Sequence, residues 1–181
     1  LCIDEIGVIK LSEMSVRRIL EIAATIKSTF EPVILTTLYP RTQIDVYVTV
    51  LQQDGGLLQA CINGTTLALM NAGIPMLDFV CAITGGVDST SPMLDLTTLE
   101  ENGIPHVTVA TMPKTGKVAL VTMETRLHVD RFEEIFRLAG EAGKVLHREM
   151  KAAVMERTST LVNAMGGQRN VDRDGDEQMD E

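Results

Sequence analysis

Long apolar runs are missing from this 181-residue sequence. The longest stretches hold only a few residues, such as Phe79-Val80-Cys81-Ala82-Ile83. A membrane-spanning helix needs about 20 apolar residues in a row, so none is encoded here. Basic residues are also short, 16 lysines and arginines against 25 acids, for a formal net charge of -9. That balance argues against a free-standing nucleic-acid binder, whose footprint is usually basic, while leaving room for a small basic patch inside a larger assembly. Cysteine is scarce. Cys2, Cys61 and Cys81 make an odd number without metal-ligand spacing, which excludes a disulfide scaffold. They fit a reduced, intracellular protein whose thiols serve as small apolar groups. Leu1 to Lys10 lacks the basic start and apolar stretch of a signal peptide.

What is present is an ordinary globular composition, 45% hydrophobic and 23% charged. A chain of this length can bury roughly 70% of the surface it exposes unfolded. The pattern divides it into an atypical segment over 1–15, a folded domain over 16–165 and an acidic tail over 166–181. The tail carries six acids and two arginines, hence -4 of the -9 charge, and is expected to be disordered.

Within the domain, Ser15 is placed to cap a helix from Val16 to Phe30, with Ile19, Ile22, Ala23 and Ile26 on one face and Pro32 at its end. Ile44, Val46, Val48 and Val50 alternate with polar residues as in a strand. A helix from Leu57 to Asn71, closed by Gly73 and Pro75, is apolar on several sides and is expected to lie against a sheet. Strands are expected from Phe79 to Ile83, ending at Gly85-Gly86, and from Met93 to Leu96. A hairpin is expected from His106–Met112 and Lys117–Met123 around Pro113-Lys114-Thr115-Gly116. A final helix starts at Val129 and runs to about Met165, with Gly140 and Gly143 allowing another element to approach. The order of elements indicates an α+β or α/β domain.

Candidate chemistry is sparse. Asp54-Gly55-Gly56 joins a strand to a helix, where backbone N–H groups can hold an anion, although glycines at such junctions mostly serve the turn. Asp95, Glu100 and Glu101 could bind Mg²⁺ or act as general acid or base, against the plainer reading of a solvated edge. Arg17, Arg18 and Arg41 could contact phosphates, and a cationic helix start is otherwise electrostatically unfavourable. His106, His128 and His147 are too dispersed to suggest a metal site. Ser89, Ser91 and Cys81 have no adjacent histidine–acid arrangement, so a hydrolase triad is unsupported. The ten methionines read as core filler. No cofactor is indicated.

Taken together, Leu51-Gln52-Gln53-Asp54-Gly55-Gly56, Ala72-Gly73-Ile74-Pro75-Met76, Leu94-Asp95-Leu96 and Leu99-Glu100-Glu101 resemble the RNase PH family. Within it they are most similar to ring subunits of the eukaryotic RNA exosome. The resemblance runs from about Arg17 to Met165. It implies an α+β, RNase PH-like βαβα fold (ribosomal protein S5 domain 2-like) and a six-membered ring of related subunits. It also implies an RNA substrate, a separate nuclease as partner, and residence in nucleus, nucleolus and cytoplasm. In active relatives phosphate attacks the 3′-terminal linkage and releases nucleoside diphosphates. By the same resemblance Arg18 matches a phosphate-binding arginine, Arg17 an RNA-contacting position and Asp95 the catalytic aspartate. Glu101 stands where many relatives have a second aspartate. Where active relatives follow the two glycines with a threonine–arginine pair, this chain has Leu57-Leu58. The implied reading is a non-catalytic subunit, with an active phosphorolytic exoribonuclease and a truncated product as alternatives. The family's strands before the first helix have no counterpart in the pattern of Leu1 to Met14, so they are expected to be missing.

Overall fold

The computed structural model describes residues 6–9, 16–88 and 91–176, with side chains described for 16–88 and 91–165. Cys2, Ser15, Ser89 and the end of the tail past Asp176 therefore lie outside the described residues, as does most of the 1–15 segment. The chain divides into two compact units, Leu1–His147 and Arg148–Glu181.

In the first unit, helix α1 (Val16–Phe30) turns Ile22, Ile26 and Phe30 inward at four-residue steps. Strand β2 (Val46–Thr49) alternates half-buried with exposed residues as its period of two demands. It pairs in parallel with β1 (Ile6–Ile9), in register from Ile6 opposite Val46 to Ile9 opposite Thr49. Where the family's set of strands is expected to be missing, one short strand is present before α1. The β-branched residues Ile6, Val8 and Ile9 suit a strand, and the free edge of β2 supplies the partner that a four-residue segment needs.

Helix α2 (Leu57–Asn71) lies against a four-stranded antiparallel sheet of order β4-β3-β5-β6. The strands are β3 (Cys81–Asp88), β4 (Ser91–Leu94), β5 (His106–Met112) and β6 (Lys117–Met123), with a bulge near Ala110 and Thr111. The β5–β6 hairpin matches the sequence expectation at both ends. Buried Asp78 fixes its turn by accepting the Lys114 and Thr115 N–H groups at 2.9 and 2.8 Å. Strand β3 does not end at Gly85-Gly86. A Cβ at Gly85 would lie 2.7 Å from the Ile135 side chain, and one at Gly86 2.8 Å from that of Leu96. These glycines admit neighbours packed closely on the strand, a use that sequence alone reads as a turn. Strand β4 accordingly begins earlier than expected.

Strand β4 covers β3 only from Gly85 to Asp88. The remaining edge is taken by polar residues of α2 spaced four and three apart. Asn63 donates to the Ala82 carbonyl at 2.9 Å and accepts the Ala82 N–H at 2.8 Å. Thr66 donates to the Val80 carbonyl at 2.8 Å, and Gln59 accepts the Thr84 N–H. An otherwise open strand edge is satisfied by side chains.

Strand β5 is buried from both faces. Ala110 joins Ile22, Ile26, Phe30, Cys61, Ile62 and Leu69 in one core. Val107 and Val109 join Val87, Ile135 and Ala139 in the other. The last two belong to α4 (Val129–Asp176). Gly143 of α4 meets Thr111, where a Cβ would stand 2.7 Å from its hydroxyl, whereas Gly140 faces open space. The expectation of close approach thus holds for one glycine of the two. Met76 and Met112 pack on the first core, but Met123, Met155 and Met165 are exposed, so core filling does not account for all the methionines.

The second unit is the continuation of α4, which passes through Gly166-Gly167 to Asp176. The helix was expected to stop at Met165 and disorder to begin at 166. Neither glycine breaks the helix, since glycine weakens helices by only about 1 kcal/mol.

Candidate functional site

The turn before α2 places Gly55 and Gly56 at φ of 83° and 57°, the left-handed region that glycine tolerates. A Cβ on Gly55 would also overlap the Leu96 carbonyl, so this turn lies directly on the backbone that follows β4. Gly56 is the N-cap of α2 and brings no side-chain acceptor, and the first turn holds no acid. The N–H groups of the helix start and the positive end of the helix dipole therefore call for an acceptor from elsewhere.

Glu101 provides it. Its Oε1 accepts the Gly56 N–H at 2.8 Å. Glu101 lies in a short helix, α3 (Thr98–Gly103), which the sequence reading missed. The preceding residue, Glu100, faces its own helix start and accepts from the Thr97 N–H at 2.8 Å and the Thr97 hydroxyl at 2.9 Å. These bonds, the backbone one foremost, hold its carboxyl below the usual carboxylate range. The sequence Thr97-x-x-Glu100 is a capping-box signature and could have revealed this helix. Both glutamates accept from backbone N–H groups, Glu100 through a solvent-facing bond and Glu101 through a partly buried one.

Two further bonds join the same elements. Asp54 Oδ1 accepts the Thr98 N–H at 3.4 Å. Gln59, which sequence reasoning also missed, donates through Nε2 to Asp95 Oδ1. Asp95 follows β4 at φ 61°, a left-handed conformation that aspartate adopts more readily than most residues. Its backbone N–H donates to the Thr84 carbonyl at 2.9 Å.

Beside this junction lies a cavity of about 540 Å³ whose wall includes Arg18, Leu57, Leu58, Glu101, His106 and Glu124. The structure thus brings together four residues that the family resemblance singled out: Arg18, Leu57, Leu58 and Glu101. Asp95 is not part of the cavity wall, and neither is Arg17. Arg18 Nη1 meets Glu124 Oε2 at 3.3 Å with both side chains about half exposed. Arg17 pairs with Glu21 one helical turn on, at 3.2 Å, and remains 90% exposed. Leu57 and Leu58 pack their hydrocarbon against the first core and offer no side-chain hydrogen-bond donor to the cavity. Arg41 is exposed, at φ 60°.

The other candidates do not converge. His106 shares the cavity wall and sits 3.3 Å from the Ile104 carbonyl through Nδ1. His128 pairs with exposed Asp130, and His147 stands edge-on to Phe79. Among the described residues no three His, Cys, Asp or Glu side chains are grouped to hold a metal ion. Cys61 and Cys81 are buried. Burial pushes the Cys81 thiol up to about 12, helped by the charge of Asp78, and raises Cys61 as well. Neither is poised as a thiolate nucleophile.

The model of the 3′ exoribonuclease family's domain 1 matches residues 9–75, and that of its domain 2 matches residues 78–142. The Gly56–Glu101 and Gln59–Asp95 bonds therefore join the two family domains. The mouse exosome complex component RRP41 is 41% identical over 151 residues, covering 83% of this chain and 62% of the relative. Its human counterpart is 43% identical over 141 residues, covering 77% and 58%. The budding-yeast (Saccharomyces cerevisiae) exosome complex component SKI6 is 41% identical over 134 residues, covering 74% and 54%. The chain thus spans about three-fifths of the curated relatives it matches. Among solved structures, rice (Oryza sativa) Rrp46 superposes with a TM-score of 0.76 at 22% identity, covering 83% of this chain and 73% of that one, a likeness of fold. With two consecutive domain matches in family order and this degree of identity to several relatives, the chain belongs to the 3′ exoribonuclease, or RNase PH, family.

Proposed function

We propose that the chain is a non-catalytic ring subunit of the RNA exosome, supporting 3′-to-5′ RNA processing and decay, rRNA included. In this reading it assembles with other RNase PH-like subunits into a six-membered ring. The ring passes single-stranded RNA to a separate nuclease in the nucleus, nucleolus and cytoplasm. Arg17 and Arg18 touch RNA phosphates on the way.

The observation that carries the reading is the pair Leu57-Leu58 on the wall of the cavity at the N-terminus of α2. A phosphate nucleophile needs charge-assisted hydrogen bonds, each worth about 1.5–3 kcal/mol, and the two leucine side chains supply none. Two missing donors lower a rate by several powers of ten, since about 1.36 kcal/mol is tenfold. Asp95, already bonded to Gln59 and absent from the cavity wall, fits the position of a retained but unused acid.

The test is incubation of the reconstituted ring with RNA and inorganic phosphate. No nucleoside diphosphate should appear. Release that vanishes in Asp95→Ala would instead establish the alternative, an active phosphorolytic exoribonuclease.

A further inference from the structure

We propose that Glu101 is the chain's own anion at the N-terminus of α2, filling the place an external oxyanion needs and closing the cavity to inorganic phosphate. The proposal deepens the non-catalytic reading and rests on it. It adds a second obstacle, independent of the two leucines.

The geometry has three parts. The N-cap of α2 is a glycine without a side-chain acceptor, and the first turn carries no acid, so this helix start is unbalanced by its own residues. The one acceptor on the Gly56 N–H is a carboxylate brought from 45 residues away, at 2.8 Å. That carboxylate belongs to the wall of the cavity that also holds Arg18, Leu57 and Leu58. An anion arriving from the cavity would have to displace Glu101 from the N–H or approach against its negative charge.

The attachment is braced rather than incidental. Glu101 stands in α3, whose start is fixed by the Thr97–Glu100 bonds and tied to the α2 turn through Asp54. The backbone after β4 lies so close to Gly55 that no side chain fits between them. The tethered carboxylate thus competes at high effective concentration, whereas a free anion must lose its translational freedom to bind.

Restoring donors to the cavity and removing the tethered anion are therefore separable changes. The test follows the Gly56 amide by ¹⁵N NMR in the full 181-residue chain during titration with inorganic phosphate. The proteins are the unaltered chain, Leu57→Thr/Leu58→Arg, and that pair combined with Glu101→Ala. Glu101→Gln, isosteric and uncharged, replaces the alanine where that variant does not fold. The unaltered chain should show no saturable shift. The triple variant should bind phosphate at least about tenfold more tightly than the double variant, the worth of removing one charged competitor. Equal affinities of the double and triple variants, both folded by circular dichroism, would overturn the proposal and leave the non-catalytic reading standing. Nucleoside diphosphate release by the unaltered ring would instead remove the reading on which it rests.

Discussion

Gln59 and Asp95 meet side chain to side chain across the junction of the two family domains, with the Gln59 amide N–H₂ donating to the Asp95 carboxylate. The same Gln59 accepts the Thr84 N–H through its carbonyl oxygen, so one buried amide satisfies two partners. Gln59→Leu should therefore leave the Thr84 N–H unsatisfied and strip Asp95 of a donor. A buried unsatisfied group costs about 1–3 kcal/mol. The expected loss in urea unfolding of the full chain is about 2–3 kcal/mol. Asp95→Asn keeps an acceptor facing Gln59 and should cost less than about 1 kcal/mol. A larger loss in Asp95→Asn than in Gln59→Leu would show that this bond is not what holds the junction.

Gly85 and Gly140 should respond to alanine in opposite directions. Gly85→Ala puts a methyl 2.7 Å from the Ile135 side chain and 3.1 Å from that of Leu94. Overpacking of this kind costs about 1–3 kcal/mol. Gly140 lies within α4 with nothing near a prospective Cβ. There alanine removes the helix penalty of glycine and should stabilise by about 0.5–1 kcal/mol. Thermal unfolding of the two variants reads both signs.

That contrast marks where the sequence was legible. Helices α1 and α2 and the β5–β6 hairpin emerge from residue pattern because each is long enough to display its period and is closed by proline or glycine: Pro32, Gly73-Pro75 and Pro113 to Gly116. Strand β3 was cut short because a paired glycine locally signals a turn, while its packing role depends on Ile135 and Leu96, the first of them 50 residues away in sequence. Helix α3 holds only six residues, too few to show a helical period, and its capping signature was the one cue the sequence offered. In the site, Arg18, Leu57, Leu58 and Glu101 were named from family resemblance and do gather around one cavity. Gln59 and Glu124 escaped notice because each acts on a partner distant in sequence. Gln59, Asn63 and Thr66 lie at helical spacing in the sequence, yet their target, a bare strand edge, exists only once the sheet has formed.

The two arginines should contribute unequally to RNA contact. Arg17 is almost fully exposed, and its ion pair with Glu21 is of the surface kind, worth at most about 0.5 kcal/mol. Arg18 stands at the cavity wall, paired with Glu124. In a reconstituted ring, Arg17→Glu/Arg18→Glu should abolish RNA crosslinking to this subunit. Each lost phosphate contact should flatten the salt dependence by about 0.7 in log–log slope. Glu124→Gln releases Arg18 from a carboxylate and should strengthen crosslinking modestly, about twofold. Unchanged RNA threading in the double arginine variant would count against the role assigned to both.

The buried thiols yield a pH dependence whose sign can be worked out. Cys81 has a folded-state pKa pushed up to about 12 from an ordinary value of 9.0, mainly by burial and then by the charge of Asp78. Cys61 is raised too, by burial alone. Between the unfolded and folded values the native chain binds more protons than the unfolded one, so stability falls as pH rises. The stabilising contribution is complete below about pH 9 and is lost progressively toward pH 12. Urea midpoints should therefore decline from pH 8 to pH 10.5, and Cys81→Ala should flatten that decline. The same burial predicts slow alkylation. Iodoacetamide at pH 8 should leave the Cys61 and Cys81 peptides unmodified in the native chain and label both rapidly in urea, since the thiolate is the reactive form. Rapid native labelling at Cys81, read by peptide mass, would mean that β3 opens readily at its first residue and that the α2 side chains bonded along that edge do not hold it shut.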